Sequence, residues 1–154
     1  MDTKDKAERK LISGVFVIGS KRKNKVNALT AVWVSRVSFN PSLVMASIGE
    51  GRYTLDMIKE SKVFSVNILG KSQVDAVKHF GFQSGRNANK FEKIDYETSK
   101  TGSPLLKDCI AWMDCEVVGE YKTGDHVIFI GKVVDEKVLS DEEPLKYNYN
   151  DHKS

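Results

Sequence analysis

Apolar and polar positions follow one another along the chain in short runs that are typical of β-strands. Apolar runs rich in β-branched residues predict six strands, at residues 15–18, 26–39, 43–48, 63–69, 110–121 and 126–139. Polar turns at residues 20–24 and 122–125 each separate two of these runs and predict hairpins. Asn40-Pro41 ends the long second run, because proline cannot donate a hydrogen bond to a strand ladder.

Helical spacing of apolar positions predicts helices at residues 55–60 and 72–80. Residues 1–12 mix Lys, Glu, Ala and Leu and predict a leading helix or arm, which Gly14 ends. The few strongly apolar positions between residues 82 and 100 predict a loop with a short helical turn near residues 88–92.

We expect one domain at residues 13–140, preceded by the arm and followed by a polar tail at residues 141–154. Tyr147 and Tyr149 are the only residues of the tail among Phe, Trp and Tyr, and the tail is predicted to be a peripheral strand or a loose end. Because the strands are joined mostly by hairpins, the fold class is β-rich α+β: an antiparallel, closed or half-closed barrel with flanking helices.

Composition and charge exclude several classes of function. The 154 residues are 40% hydrophobic and carry a formal net charge of +3, too little for the basic field of a general nucleic-acid binder. No apolar run reaches the ~20 residues of a membrane span, and the charged start lacks a signal core. We therefore expect a cytoplasmic protein. Cys109 and Cys115 form no CxxC motif, and the histidines are not clustered, so we expect reduced structural thiols and no metal.

Two glycine-containing segments superficially resemble nucleotide-binding motifs. Residues 14–21 end Gly-Ser-Lys rather than Gly-Lys-Ser/Thr and enclose a buried strand, and residues 49–54 do not complete GxGxxG. The second segment still places Arg52 and Thr54 at the start of a predicted helix, where free amides and the helix dipole attract anions. A phosphate site and a capped helix with a solvated arginine both agree with this pattern.

Two further features are ambiguous on pattern alone. Thr30 and Trp33 lie close together in the long second run, which is also compatible with a strand that simply buries one aromatic ring. His126 opens the last strand, where an isolated histidine is usually a surface residue.

Five stretches of the chain, in the same order, resemble the flavin reductase-like, FMN-binding split-barrel family. They are Asn27-Ala28-Leu29-Thr30-Ala31-Val32-Trp33 through Pro41, Gly49 to Thr54, Phe64-Ser65-Val66-Asn67-Ile68-Leu69, Phe80-Gly81-Phe82-Gln83-Ser84-Gly85-Arg86 through Lys90-Phe91, and Gly124-Asp125-His126-Val127 through Gly131. The resemblance covers about residues 10 to 140 and implies a split barrel.

The resemblance also implies a function: a homodimer that holds FMN at the subunit interface and transfers hydride from NADH or NADPH to the flavin. Electrons would pass onward to a flavin, a ferric complex or a redox protein. The alternative is an FMN-binding electron-transfer protein, flavoredoxin-like, with no NAD(P)H reaction of its own. Relatives often continue past the last hairpin, so the short tail leaves open how the site is covered.

Residue by residue, the resemblance implies that Arg52 and Thr54 hold the phosphate and that His126 is the catalytic residue facing the nicotinamide or the flavin. It implies that the remaining cofactor-binding residues are Thr30, Ala31, Val32, Trp33, Ser47, Ile48, Gly49 and, near the rim, Phe82, Ser84, Lys90 and Phe91.

Overall fold

A computed structural model describes residues 7–81 and 89–147. Its helices are a 3-10 turn (Ala7–Lys10), α1 (Tyr53–Ser61) and α2 (Val74–Gly81). Its strands are β1 (Phe16–Arg22), β2 (Lys25–Ala31), β3 (Val34–Ser38), β4 (Leu43–Gly49), β5 (Val63–Ile68), β6 (Tyr96–Glu97), β7 (Leu105–Leu106), β8 (Ala111–Lys122) and β9 (His126–Val138). None of the described helices is both long enough and apolar enough to cross a membrane.

Seven of the strands form one antiparallel sheet in the order β2-β1-β5-β8-β9-β4-β3, and β6 pairs with β7. β2 and β3 occupy its two edges, although they are consecutive in sequence. Val32 and Trp33 carry the chain from one edge to the other, and the Ser47 N–H donates to the Trp33 carbonyl oxygen at 2.9 Å. The sheet is not closed, which is consistent with a split barrel, and the predicted fold class is confirmed.

Successive strand residues pack into two separate hydrophobic clusters. Ile18 and Leu29 belong to a cluster that includes side chains of α1, whereas Val17 and Ala28 belong to one that includes side chains of α2. Neighbouring side chains of a strand point to opposite faces, so the two helices cover opposite faces of the sheet.

The start of α1 depends on a turn that favours glycine. Gly51 has a φ of 84°, a left-handed conformation that residues with a Cβ rarely adopt. Arg52 then takes extended backbone angles as the N-cap, and its side chain makes no capping hydrogen bond. At the other end, Lys62 is left-handed, and its N–H donates to the Ile58 carbonyl oxygen at 2.8 Å.

Residues 143–147 form a segment, held by two isolated β-bridges to Gly14 and Gly70, that we call the C-terminal strap. The Leu145 N–H donates to the Leu69 carbonyl oxygen at 2.9 Å, and the Leu145 carbonyl oxygen accepts from the Val15 N–H at 3.1 Å. The Tyr147 N–H donates to Ser13 at 2.8 Å. These bonds attach residues 143–147 of the tail to the rest of the fold.

One prediction of local structure is wrong. Residues 26–39 are two strands rather than one, because the crossover at Val32 and Trp33 leads to the opposite sheet edge. Of the helix or arm predicted at residues 1–12, the described part contains the 3-10 turn, and Leu11 and Ile12 are exposed beyond it.

Candidate functional site

A cavity of about 400 Å³ opens where β2 and β4 end. Its walls come from both strands, the crossover, the N-cap of α1, α2, the start of β9 and the C-terminal strap. They consist of Val15, Leu29, Thr30, Ala31, Val32, Trp33, Ser47, Ile48, Gly49, Arg52, Val77, Gly81, His126 and Tyr147. The volume lies within the ~300–1,000 Å³ typical of small-molecule sites.

Nine residues named from the sequence line this cavity: Thr30, Ala31, Val32, Trp33, Ser47, Ile48, Gly49, Arg52 and His126. Three others, Thr54, Lys90 and Phe91, do not line it and are buried. Phe82 and Ser84 fall outside the described residues.

Arg52 places a half-buried positive charge at the cavity wall and at the N-terminus of α1. Burial lowers the pKa of its guanidinium from the ordinary value, but an arginine remains charged in proteins. Within residues 7–81 and 89–147, no carboxylate is paired with it. Because a buried charge is stabilised by a counter-ion, the arrangement favours an anionic ligand at this end of the cavity.

Lys90 adds a second cation near Arg52 but is itself only 3% exposed. Its Nζ donates to the carbonyl oxygens of Ala28 at 2.8 Å and Phe80 at 2.9 Å, so it ties β2 to α2. Burial and the nearby charge of Arg52 lower the pKa of Lys90 to about 8. Lys90 therefore contributes a titratable charge behind the cavity wall.

Two threonine hydroxyls are engaged within the protein. The Thr30 Oγ1 donates to the Val77 carbonyl oxygen of α2 at 2.8 Å. Thr54 lies in the first turn of α1, and its Oγ1 accepts a hydrogen bond from the buried Asn27 amide at 2.9 Å. Both bonds connect β2 to a helix and hold the cavity walls together.

His126 lies opposite the crossover at the mouth of the cavity. Its ring centroid is 4.5 Å from that of Trp33, and its Nδ1 is 2.7 Å from the Asp125 Oδ1. The hydrogen bond from His126 lowers the pKa of the exposed Asp125 carboxyl. When Nδ1 is the donor in this bond, the neutral imidazole presents Nε2 as an acceptor.

Phe91, predicted near the rim, packs instead in the cluster beside α2. Its ring centroid is 5.4 Å from that of Phe80 and 5.0 Å from that of Tyr96. This contact fixes the end of α2 rather than a surface of the cavity.

Sequence reasoning did not assign five of the wall residues to the site: Val15, Leu29, Val77, Gly81 and Tyr147. Four of them carry no chemical signal beyond an apolar or glycine position in a predicted strand or helix. Tyr147 did carry one, because a large aromatic residue in an otherwise polar tail indicates a buried anchor.

The two cysteines contribute nothing to the cavity walls. Both are free and buried, and burial raises the pKa of Cys109 and of Cys115 to about 12. Thiols of this kind are unreactive at neutral pH. Among the described residues no cluster of His, Cys, Asp and Glu could hold a metal ion.

Similar proteins carry flavin-related names. The chain is 29% identical to a ferric-chelate reductase (NAD(P)H) of Archaeoglobus fulgidus over 90% of this chain and 83% of the relative. The solved structure of flavin reductase PheA2 is 35% identical and superimposes with a TM-score of 0.83, over 96% of this chain and 94% of that one. An FMN-binding protein from Thermus thermophilus is 29% identical, with a TM-score of 0.79 over 83% and 73% of the two chains.

Other curated relatives are longer than this chain. The chain spans 64% and 65% of the length of two of them, which it matches over 71% and 97% of its own sequence. The family model described as the flavin reductase like domain matches residues 8–153, which is nearly the whole chain. The protein therefore belongs to the family of flavin reductase like domains.

Proposed function

We propose that the cavity binds FMN and that the protein reduces it with NADH or NADPH, passing electrons onward to a flavin, a ferric complex or a redox protein. The single observation that carries this proposal is Arg52, a half-buried cation at a helix N-terminus and in a cavity wall, without a carboxylate partner among the described residues. FMN differs from an uncharged ring compound in carrying the phosphate that such a cation recognises.

The phosphate end of the site is built from α1. Arg52 supplies a planar fork of donors, and the first-turn N–H groups of α1, which have no helical partner, add to it. The charge of Lys90 lies behind this wall and strengthens the positive potential without direct contact. Together these groups bind and orient a dianion.

The ring end of the site is mostly apolar, with backbone polar groups at its edge. Leu29, Ile48 and Trp33 provide surfaces for a planar ring system. β2 has only one strand neighbour in the sheet, so part of its backbone is free to bond the polar edge of a ligand. Thr30 is fixed against α2, which holds that strand end in place.

His126 is proposed to orient the nicotinamide. Its ring is held between Trp33 and Asp125, so Nε2 stays at the cavity mouth. A bound FMN would supply a two-electron acceptor for the hydride of the nicotinamide ring. The role of His126 is positioning, since reacting groups must be aligned within ~3–3.5 Å.

A homodimer is the expected assembly. β3 is a sheet edge, and apolar side chains are exposed on it and directly after it, with Val37 49% and Phe39 83% exposed. An open edge with apolar groups favours pairing with another chain.

The visible spectrum of the purified protein, followed by anaerobic addition of NADH or NADPH, tests the proposal. Flavin absorbance that bleaches supports a reductase. Flavin that stays oxidised supports the alternative, an FMN-binding electron carrier without its own NAD(P)H reaction. Failure to bind added FMN contradicts both functions.

A further inference from the structure

A groove of about 1,110 Å³ lies beside the cavity and belongs to no function described so far. Val32, Trp33 and Tyr147 line both the cavity and the groove, so the two spaces adjoin at these three residues. One wall is the segment that contains the 3-10 turn, and another is the end of the C-terminal strap.

The charges of the groove favour an anionic ligand. Among the described residues that line the groove, Arg9, Lys10 and Lys146 are basic and Glu8 is acidic. Lys10 and Lys146 are exposed and stand on different walls, which allows both to contact a flexible anion between them.

The boundary between groove and cavity is aromatic. Trp33 is 54% exposed, and Tyr147 is part of both walls. Trp33 also packs on His126, the residue proposed to orient the nicotinamide. A ligand that occupies both spaces therefore needs a planar ring at the boundary and negative charge beyond it.

We propose that the groove binds the adenosine diphosphate half of NADH or NADPH while the nicotinamide ring enters the cavity beside Trp33 and His126. The proposal rests on the proposed function for its choice of ligand, and it adds the site that holds the non-reacting half of the donor. Lys10 and Lys146 contact the diphosphate. The binding of this remote half holds the nicotinamide ring near the flavin.

Titration calorimetry with ADP-ribose tests the groove without requiring any redox reaction. Wild-type protein loaded with FMN is compared with the double variant Lys10→Ala/Lys146→Ala and with a matched double variant outside the groove, Lys107→Ala/Lys132→Ala. We expect the groove variant to bind ADP-ribose at least ~5-fold more weakly and the matched variant to bind it like wild type. All four lysines are exposed, so the variants keep the fold.

Reduction kinetics provide the second readout. The groove variant should raise the KM for NADH at least ~5-fold but change the KM for reduced nicotinamide mononucleotide, which lacks the adenosine half, by less than ~2-fold. Equal effects on both donors, or unchanged ADP-ribose binding, contradict the groove assignment.

The outcomes separate this inference from the proposed function. Flavin that NADH bleaches, with ADP-ribose binding indifferent to Lys10 and Lys146, overturns the groove and leaves the reductase intact. ADP-ribose binding that depends on these lysines, with flavin that no donor reduces, supports the groove and overturns the reductase. A groove variant that changes only the dimer mass in light scattering assigns this surface to a second copy of the chain and overturns the inference.

Discussion

At the scale of single residues, the proposed phosphate site depends on Arg52. A charge-assisted hydrogen bond to a bound anion contributes roughly 1.5–3 kcal/mol. We therefore expect Arg52→Ala to weaken FMN binding by at least ~1.5 kcal/mol, which is about tenfold in Kd, and to leave riboflavin binding nearly unchanged. Titration of both flavins into wild type and variant measures this. Arg22→Ala, which removes an arginine paired with Glu60, is the matched control, and equal losses for FMN and riboflavin would place the phosphate elsewhere.

His126 should affect the rate of reduction rather than flavin affinity. Its ring is oriented by Trp33 and Asp125 at the cavity mouth. We expect His126→Ala to keep FMN affinity within a few-fold and to slow flavin reduction by NAD(P)H at least ~10-fold, about 1.4 kcal/mol of barrier. Asp125→Asn should give a smaller effect in the same direction. Stopped-flow bleaching of bound flavin measures the rate. An unchanged rate in His126→Ala would show that His126 is a surface residue with no role in flavin reduction.

Lys90 should make FMN binding depend on pH. Burial lowers the pKa of Lys90 to about 8, and a phosphate dianion near Arg52 favours its charged form, so FMN binding takes up protons around that pH. FMN affinity should therefore fall as the pH rises from about 7 to 9, while riboflavin affinity stays nearly flat. Fluorescence titrations across this range check the slope. Lys90→Met should flatten it, and a slope that persists in Lys90→Met would assign the titration to another group.

Lys90 and His126 show which properties of single residues could be predicted from the sequence and which could not. The candidate roles of both residues came from the resemblance to the flavin reductase-like family, since by pattern alone His126 agreed with a surface residue. The burial of Lys90 could not be predicted, because it depends on the carbonyl oxygens of Ala28 and Phe80, which only the fold brings to its amine. The ring contact of His126 with Trp33 likewise joins residues far apart in sequence.

At the scale of elements, most strands and both α-helices lie where the apolar periodicity predicted them. The short strands β6 and β7 were not predicted, and β6 lies in the stretch predicted to be a loop. Residues 26–39 were predicted as one strand, because Val32 and Trp33 carry no glycine, proline or polar break to mark the crossover. The strand ends there because of a long-range contact. The Ser47 N–H of β4 donates to the Trp33 carbonyl oxygen, and the chain continues as β3 on the opposite edge of the sheet. The local apolar pattern therefore predicts that a strand is present better than it predicts where that strand ends.

The C-terminal strap offers a test of element-level stability. Leu145→Pro removes the N–H that donates to Leu69, and we expect it to lower the free energy of unfolding by about 1–3 kcal/mol. Denaturant titration with and without FMN measures the change.

Lys146→Pro is the control for that change, because its neighbours Leu145 and Tyr147, rather than Lys146 itself, form the backbone hydrogen bonds to residues 13–15. A loss of stability as large as that of Leu145→Pro would show that proline strain, and not the missing N–H, is responsible.

At the scale of the whole molecule, the apolar surface of β3 predicts a dimer. Light scattering of FMN-loaded protein should give a mass near twice 17.3 kDa at micromolar concentration. Phe39→Lys should shift it to the monomer, since Phe39 is 83% exposed on the chain end of this edge. Val138→Lys, which changes an equally exposed residue at the end of β9, is the control. A wild-type mass near 17.3 kDa with FMN bound contradicts the dimer.

The fold class could be predicted from the sequence, because hairpins and a few helices limit the architectures that 154 residues can form. The shape of the site could not be predicted from the sequence in this way. The cavity and groove meet at Tyr147 because the strap pairs with both Leu69 and the residues before β1, a long-range pairing that periodicity does not encode.

That pairing also sets an order of events during synthesis. A growing chain emerges from its N-terminal end, so the backbone groups of Val15 and Leu69 that bond Leu145 wait for 130 and 76 further residues, respectively. During that interval the nascent protein has an open strand edge, which can pair with another nascent chain. Completion of the strap therefore removes a site at which nascent chains can aggregate.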